Sequence, residues 1–250
     1  LLYLIDTVCL LATLWAVTSL PKLPPLTAHR GTPGLRSVLD GLRYLLGHPI
    51  LLTSFLVDGI AMIFGMPRAL FPQVAHQSFG GPSDGGLAFA LLFAAMPAGA
   101  VLGGVVSGWV SRIDRQGLAV VWAVAAWGAA IVVTGAAICF APSAPTAMLA
   151  VAVAALAFGG AADMASAAFR QSMLLGAADD DVRGRLQGVF IVVVAGGPRI
   201  ADVLHGWAAD SIGTAATTAD GGVLVIVGVA ITAVALPAFV RYRLSEHPVR

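Results

Sequence analysis

A chain of 250 residues that is 58% hydrophobic, only 11% charged and of mean hydropathy +0.90 is too apolar for a soluble domain, which would carry about a quarter charged residues around one core. A net charge of +1 leaves no footprint for nucleic acid, and the two cysteines, Cys9 and Cys139, sit in separate apolar runs without metal-site or disulfide spacing. What remains is an all-α integral membrane protein in which no cofactor and no metal is expected.

Hydropathy predicts seven spans, at roughly 1–20, 50–74, 86–110, 117–140, 146–168, 187–210 and 222–241. The chain starts with Leu1 already inside the first of them and without a methionine, so it is read as a piece of a longer protein. The longest connection, 21–49, begins as a proline-broken linker. It continues with Leu35, Leu39, Leu42 and Leu46 at helical spacing among arginines, the pattern of an amphipathic helix on a membrane surface. The third span carries two small-xxx-small motifs, Gly99 to Gly103 and Gly104 to Gly108, which let a neighbouring helix approach closely. The fourth, 117–140, has no charged residue and is expected to support the bundle from the lipid side.

Basic residues set the orientation, because cytoplasmic loops hold an excess of them. Lys22, Arg30, Arg36 and Arg43 lie in the linker, Arg112 and Arg115 in the 110–117 turn, Arg170, Arg183 and Arg185 in a 169–186 loop, and Arg241, Arg243 and Arg250 at the C-terminal end. All four segments fall on one face, which makes the linker and the tail 242–250 cytoplasmic. Only Arg68 and Arg199 fall elsewhere.

Asp58, Asp163, Arg199 and Asp202 are charges inside apolar spans. At 1.5 Å per residue Arg199 lies about 20 Å from its cytoplasmic end, Asp58 about 12 Å and Asp163 about 8 Å. Intramembrane charges are costly unless they face protein or a cavity, so the three are expected to line one polar interior. Gly196, Gly197 and Pro198 just before Arg199 suggest a broken helix of the kind found at transporter midplanes. A plain kink with Arg199 paired to Asp202 is the structural alternative. Asp58 reads either as a proton carrier or as the permanent partner of Arg199, and Asp163 either as a cavity residue or as a hydrogen-bonding group near a helix end. Met62, Phe64 and Met66 form either a soft wall for a substrate or helix packing. Asp179, Asp180 and Asp181 cap a helix N-terminus, or form a cytoplasmic latch with Arg112, Arg115, Arg183 or Arg185.

The turn from Gly108 to Gly117, including Arg112, Asp114 and Arg115, is similar to the loop motif that the major facilitator superfamily repeats between its helices two and three and eight and nine, with Ser111 where an aspartate is usual. Asp58 to Pro72, Asp181-Val182-Arg183-Gly184-Arg185 and Gly196 to Arg199 resemble the enterobactin-exporter branch of that superfamily, which includes siderophore and drug exporters. The resemblance implies that 1–20 is the sixth of twelve helices, 21–49 the central cytoplasmic linker, and 50–241 the C-terminal six-helix domain. It further implies proton-coupled export of a small amphipathic molecule across the inner membrane, from a cavity shared with a missing N-terminal half. Its partners would be the lipid bilayer, protons, the substrate and that half.

Other classes fit less well. A seven-helix receptor is suggested by the span count alone, and the sole lysine, Lys22, lies in the linker and cannot carry retinal. An intramembrane enzyme finds no His-Glu-x-x-His and no Gly-x-Gly-Asp; His205 and Asp202 share one helix face but lack further ligands.

Overall fold

Lipid offers no partner to backbone N–H and C=O groups, so the apolar runs of this sequence must close their hydrogen bonds internally as helices. The computed structural model describes residues 2–20, 35–83, 85–177 and 180–246, and among them there is no strand. The chain divides into two units, 1–32 and 33–250. Among its described residues the first holds one apolar helix, α1 (Leu2–Thr18). The linker residues 21–34 lie outside the described residues.

In the second unit follow α2 (Leu35–Leu46), α3 (Pro49–Phe64), a 3-10 turn at Pro67–Leu70, α4 (Phe71–Gln77), α5 (Leu87–Val105), α6 (Gln116–Phe140), α7 (Pro145–Ala177), α8 (Asp180–Ile212), α9 (Thr214–Ala235) and α10 (Pro237–Val240). Among the described residues, six segments are long and apolar enough to cross a membrane: Pro49–Gln77, Leu87–Val105, Gln116–Ser143, Pro145–Leu174, Leu186–Ile212 and Thr214–Ala235. They coincide with the six expected after the linker, with shifted ends. The fifth runs on to Ala177 rather than stopping near 168, and the last starts at Thr214 and so takes in Asp220.

Helix α6 is the central strut. Although free of charge, it buries Val120, Val124, Trp127, Ile131 and Ile138 between α7 and α9, so it is not the lipid-side support that its composition suggests. Packing of α5 on α7 depends on missing side chains. A Cβ at Gly99 would lie 1.8 Å from the backbone oxygen of Ala157, and one at Gly160 would lie 2.1 Å from that of Met96. The first small-xxx-small motif thus does what its spacing predicts. The second does not, since Gly104 would meet only Met164 Cε, at 3.9 Å.

The predicted interruption in α8 is absent: the helix runs unbroken through Pro198. Gly197 serves contact instead, because a Cβ there would lie 2.8 Å from Met62 Cβ on α3. The real interruption is in the first span of the unit. Helix α3 ends at Phe64, and Pro67 starts the 3-10 turn. Two carbonyls at the break find side-chain donors. Trp127 Nε1 of α6 donates to Gly65 O (3.1 Å) and His205 Nε2 of α8 to Phe64 O (3.1 Å), while His205 Nδ1 lies 2.9 Å from Ala201 O.

Helix α2 docks on α3 and α8 through Leu45, which is buried with Leu51, Leu174, Leu186 and Val189. Leu39, Leu42 and Leu46 stay exposed on the other side, as an interfacial helix requires. At the same end of the bundle, Asp114 holds the C-terminal segment. Its side chain accepts from the Ser245 backbone N–H (2.9 Å) and lies 3.8 Å from Arg243, and its carbonyl accepts from Leu244 N–H (3.0 Å).

Two predictions follow from these contacts. Gly99→Ala forces α5 off α7 and costs about 1–3 kcal/mol or more of stability, whereas Gly104→Ala is near neutral; thermal unfolding of the detergent-solubilised protein reads the difference. The Ser245 N–H, helped by Arg243 and Arg115, holds the Asp114 carboxyl below its ordinary value of 3.8. A lowered folded-state value makes the contribution complete above the ordinary value and lost as pH falls through the lowered one. Protection of the tail against proteolysis is therefore expected to be flat from neutral pH down to about 4 and to fall below it, and Asp114→Asn should expose the tail at neutral pH.

Candidate functional site

The deepest charges of the bundle meet between α3 and α7. Asp58 is 1% exposed and forms an ion pair with Arg170, which is 8% exposed. Arg170 was expected in a loop, and Asp58 was offered Arg199 as its partner. Because α7 continues past residue 168, Arg170 is instead a helical residue two turns beyond Asp163, about 10 Å along the same helix. Asp163 is partly buried, lies within electrostatic range of Arg170 and Asp58, and makes no ion pair among the described residues. One carboxylate is thus paired with the guanidinium, and a second lies within its electrostatic range.

This cluster stands between two cavities. One, of about 20 Å³, is lined by Asp58 and Arg170 together with Leu51, Ser54, Phe55 and Phe190. The other, of about 210 Å³, is lined by Met66, Phe71, Phe93, Met96 and Trp127, with Asp163 and Arg68 as its charged groups. A soft aromatic and thioether wall bearing one cation and one anion is the surface an amphipathic molecule needs. Of the three wall candidates only Met66 reaches it. Met62 is buried beneath Gly197, and Phe64 is partly buried against the core.

The break after Phe64 aims this second cavity. It frees Met66, Arg68 and Phe71 from the α3 register, and the Trp127 that caps Gly65 O is itself a wall residue. Arg68, Phe93, Met96 and Trp127 were missed as candidates. The Pro67 that follows Gly65 was the available signal, since proline inside an apolar span marks a local rearrangement.

The other candidates lie apart. The Arg199 side chain is 84% exposed and only 4.0 Å from Asp202, so neither joins the cluster. His205 is engaged with backbone carbonyls rather than with Asp202. Arg112 and Arg115 are exposed, and Asp114 faces the C-terminal segment. Helix α8 begins at Asp180, beside the expected acidic cap, but the side chains of Asp181, Arg183 and Arg185, and with them the proposed latch, lie outside the described residues. No cluster of metal-binding side chains exists among the described residues. Against the expectation that the chain lacks a Gly-x-Ser-x-Gly pattern, Gly81 to Gly85 has that spacing. It lies in the loop between α4 and α5 rather than on a strand-to-helix elbow, and the nearby His76 donates to Gly81 O (2.8 Å).

The sequence is similar to known membrane proteins. The family model described as transmembrane secretion effector matches residues 1–247. Among curated proteins, the enterobactin exporters EntS of Shigella boydii serotype 18 (strain CDC 3083-94 / BS512) and of Shigella boydii serotype 4 (strain Sb227) are each 34% identical over 109 residues. So is that of Escherichia coli O139:H28 (strain E24377A / ETEC). The matched stretch is 44% of this chain and 25% of each relative. No solved structure matches. The chain belongs to the transmembrane secretion effector family of the major facilitator superfamily and is an all-α, multi-pass membrane protein.

Proposed function

We propose that this chain supplies the C-terminal half of an exporter that moves a small amphipathic molecule, siderophore-like or drug-like, out of the cell by proton-coupled alternating access. Family membership and the likeness to proteins named enterobactin exporters support export. The observation that carries the coupling is the placement of two carboxylates and one guanidinium between two cavities.

In this reading Asp58 and Arg170 are a fixed pair, since separating them would strand a charge in the bundle. Asp163 is the carboxylate that can gain and lose a proton without breaking an ion pair. Protonated, it leaves the cluster neutral; ionised, it adds a charge that draws on Arg170. Because Asp163 also lines the larger cavity, a bound substrate and a bound proton act on the same group, which is the differential interaction that alternating access requires. Arg68, on the same cavity, would receive an anionic or hydrogen-bond-accepting part of the substrate, and Phe71, Phe93 and Trp127 its rings. At about 210 Å³ the cavity is smaller than the roughly 300–1,000 Å³ of a complete ligand site, consistent with an N-terminal half supplying the opposite wall. The clustering of arginines at the end that carries α2 and the C-terminal segment supports a cytoplasmic C-terminus in the inner membrane.

Efflux of fluorescent amphipathic dyes and of a catecholate siderophore, driven by an imposed pH gradient in vesicles containing the full-length protein, tests the reading. Wild type is expected to export at least one of these compounds. Asp163→Asn should reduce gradient-driven efflux on the order of tenfold or more, and Asp163→Glu should retain part of it. No efflux of any of them by wild type would remove the exporter reading. Efflux by Asp163→Asn with an unchanged response to the gradient would remove Asp163 as the coupling group.

A further inference from the structure

A third feature of the bundle belongs neither to the charge cluster nor to the cavity beside it. Helices α6 and α7 enclose a groove of about 550 Å³. Its floor is built from small side chains, Ala119, Ala162 and Ala165, and Trp122 and Phe158 rise beside it, 69% and 60% exposed. Arg115 is the one polar residue among those lining it, and it stands immediately before the first residue of α6. The groove therefore has a polar end and an apolar body. Asp114 beside it offsets part of the arginine's charge, since it lies within electrostatic range of Arg115 as well as of Arg243. Arg112, also exposed, adds to the positive end.

We propose that this groove is a binding site for one anionic phospholipid, with an acyl chain along the alanine floor and the phosphate on Arg115. The charge pattern selects this occupant. A wholly apolar groove would be filled by any lipid tail, and an aqueous ligand would need more than one polar contact. A single guanidinium at the membrane-surface end of a hydrocarbon-sized trench matches a molecule with one anionic head and a long apolar body. Basic pockets between transmembrane helices bind acidic headgroups by the same electrostatics. The chain would also wedge against α6, the strut on which α7 and α9 pack, so an occupied groove would favour one arrangement of that helix pair. The inference stands apart from the exporter reading, because lipid retention needs no transport.

The test uses purified full-length protein equilibrated with vesicles of equal phosphatidylglycerol and phosphatidylcholine, followed by native mass spectrometry of the retained lipid. Wild type is expected to retain phosphatidylglycerol over phosphatidylcholine by about fivefold or more. Arg115→Gln, at an exposed position that leaves folding intact, should bring that ratio close to one. Ala162→Leu, which fills the floor, should lower retention of both lipids. An even ratio in wild type, or an unaltered ratio in Arg115→Gln, overturns the proposal. So does loss of the retained lipid on adding a transported amphipathic compound, which would assign the groove to substrate. A lipid-free dimer lost in Ala162→Leu would assign it to a second copy and overturn it equally.

Discussion

The buried ion pair between Asp58 and Arg170 is the constraint on which the arrangement of this bundle depends. Removing either charge from water costs several kcal/mol, and leaving one of them inside the bundle without its partner costs about 3–5 kcal/mol of stability. The pair therefore fixes how α3 and α7 face one another. Once they are fixed, Asp163 is carried on the same helix toward the larger cavity and Asp58 toward the smaller one. Each cavity is therefore lined by groups that respond strongly to a proton or to a charged ligand.

A second constraint comes from the backbone. Away from water, an interrupted helix must find other partners for its carbonyls, and the break after Phe64 finds them in Trp127 and His205 from two different helices. Those bonds tie α3 to α6 and α8 at the level where the larger cavity opens. Close approach then depends on residues without side chains. Gly197 passes Met62, and a Cβ at Gly221 would lie 2.4 Å from Phe64 O, so three helices converge on one turn. The groove between α6 and α7 shows the opposite use of small residues, where alanines keep two helices from filling the space between them.

Much of this architecture was legible in the sequence, because hydropathy and the absence of charge are sufficient to place helices in lipid. The six spans after the linker and the existence of an amphipathic helix before them follow from apolar runs and leucine spacing alone, whereas the docking of that helix through Leu45 does not. Partner choice was not legible. Arg170 looks like a loop residue because the apolar run ends before it, yet helix geometry continues through it, since its charge is met by Asp58 from another helix. Gly197 and Pro198 look like a break, but whether a glycine loosens a helix or admits a neighbour depends on what lies across from it, and here that is Met62. Arg199 illustrates the same limit. Its depth suggested an interior to face, while its side chain is 84% exposed and its ion-pair partner among the described residues is Asp202.

The most direct measurement is a double-mutant cycle on the buried pair, reading thermal stability of the full-length protein for Asp58→Asn, Arg170→Gln and the two combined. If the pair holds α3 to α7, each single substitution strands a buried charge and costs about 3–5 kcal/mol, and the double variant recovers much of that loss. A double variant whose loss equals the sum of the two singles would show that Asp58 and Arg170 act independently, and would contradict the account of the charge cluster from its first step.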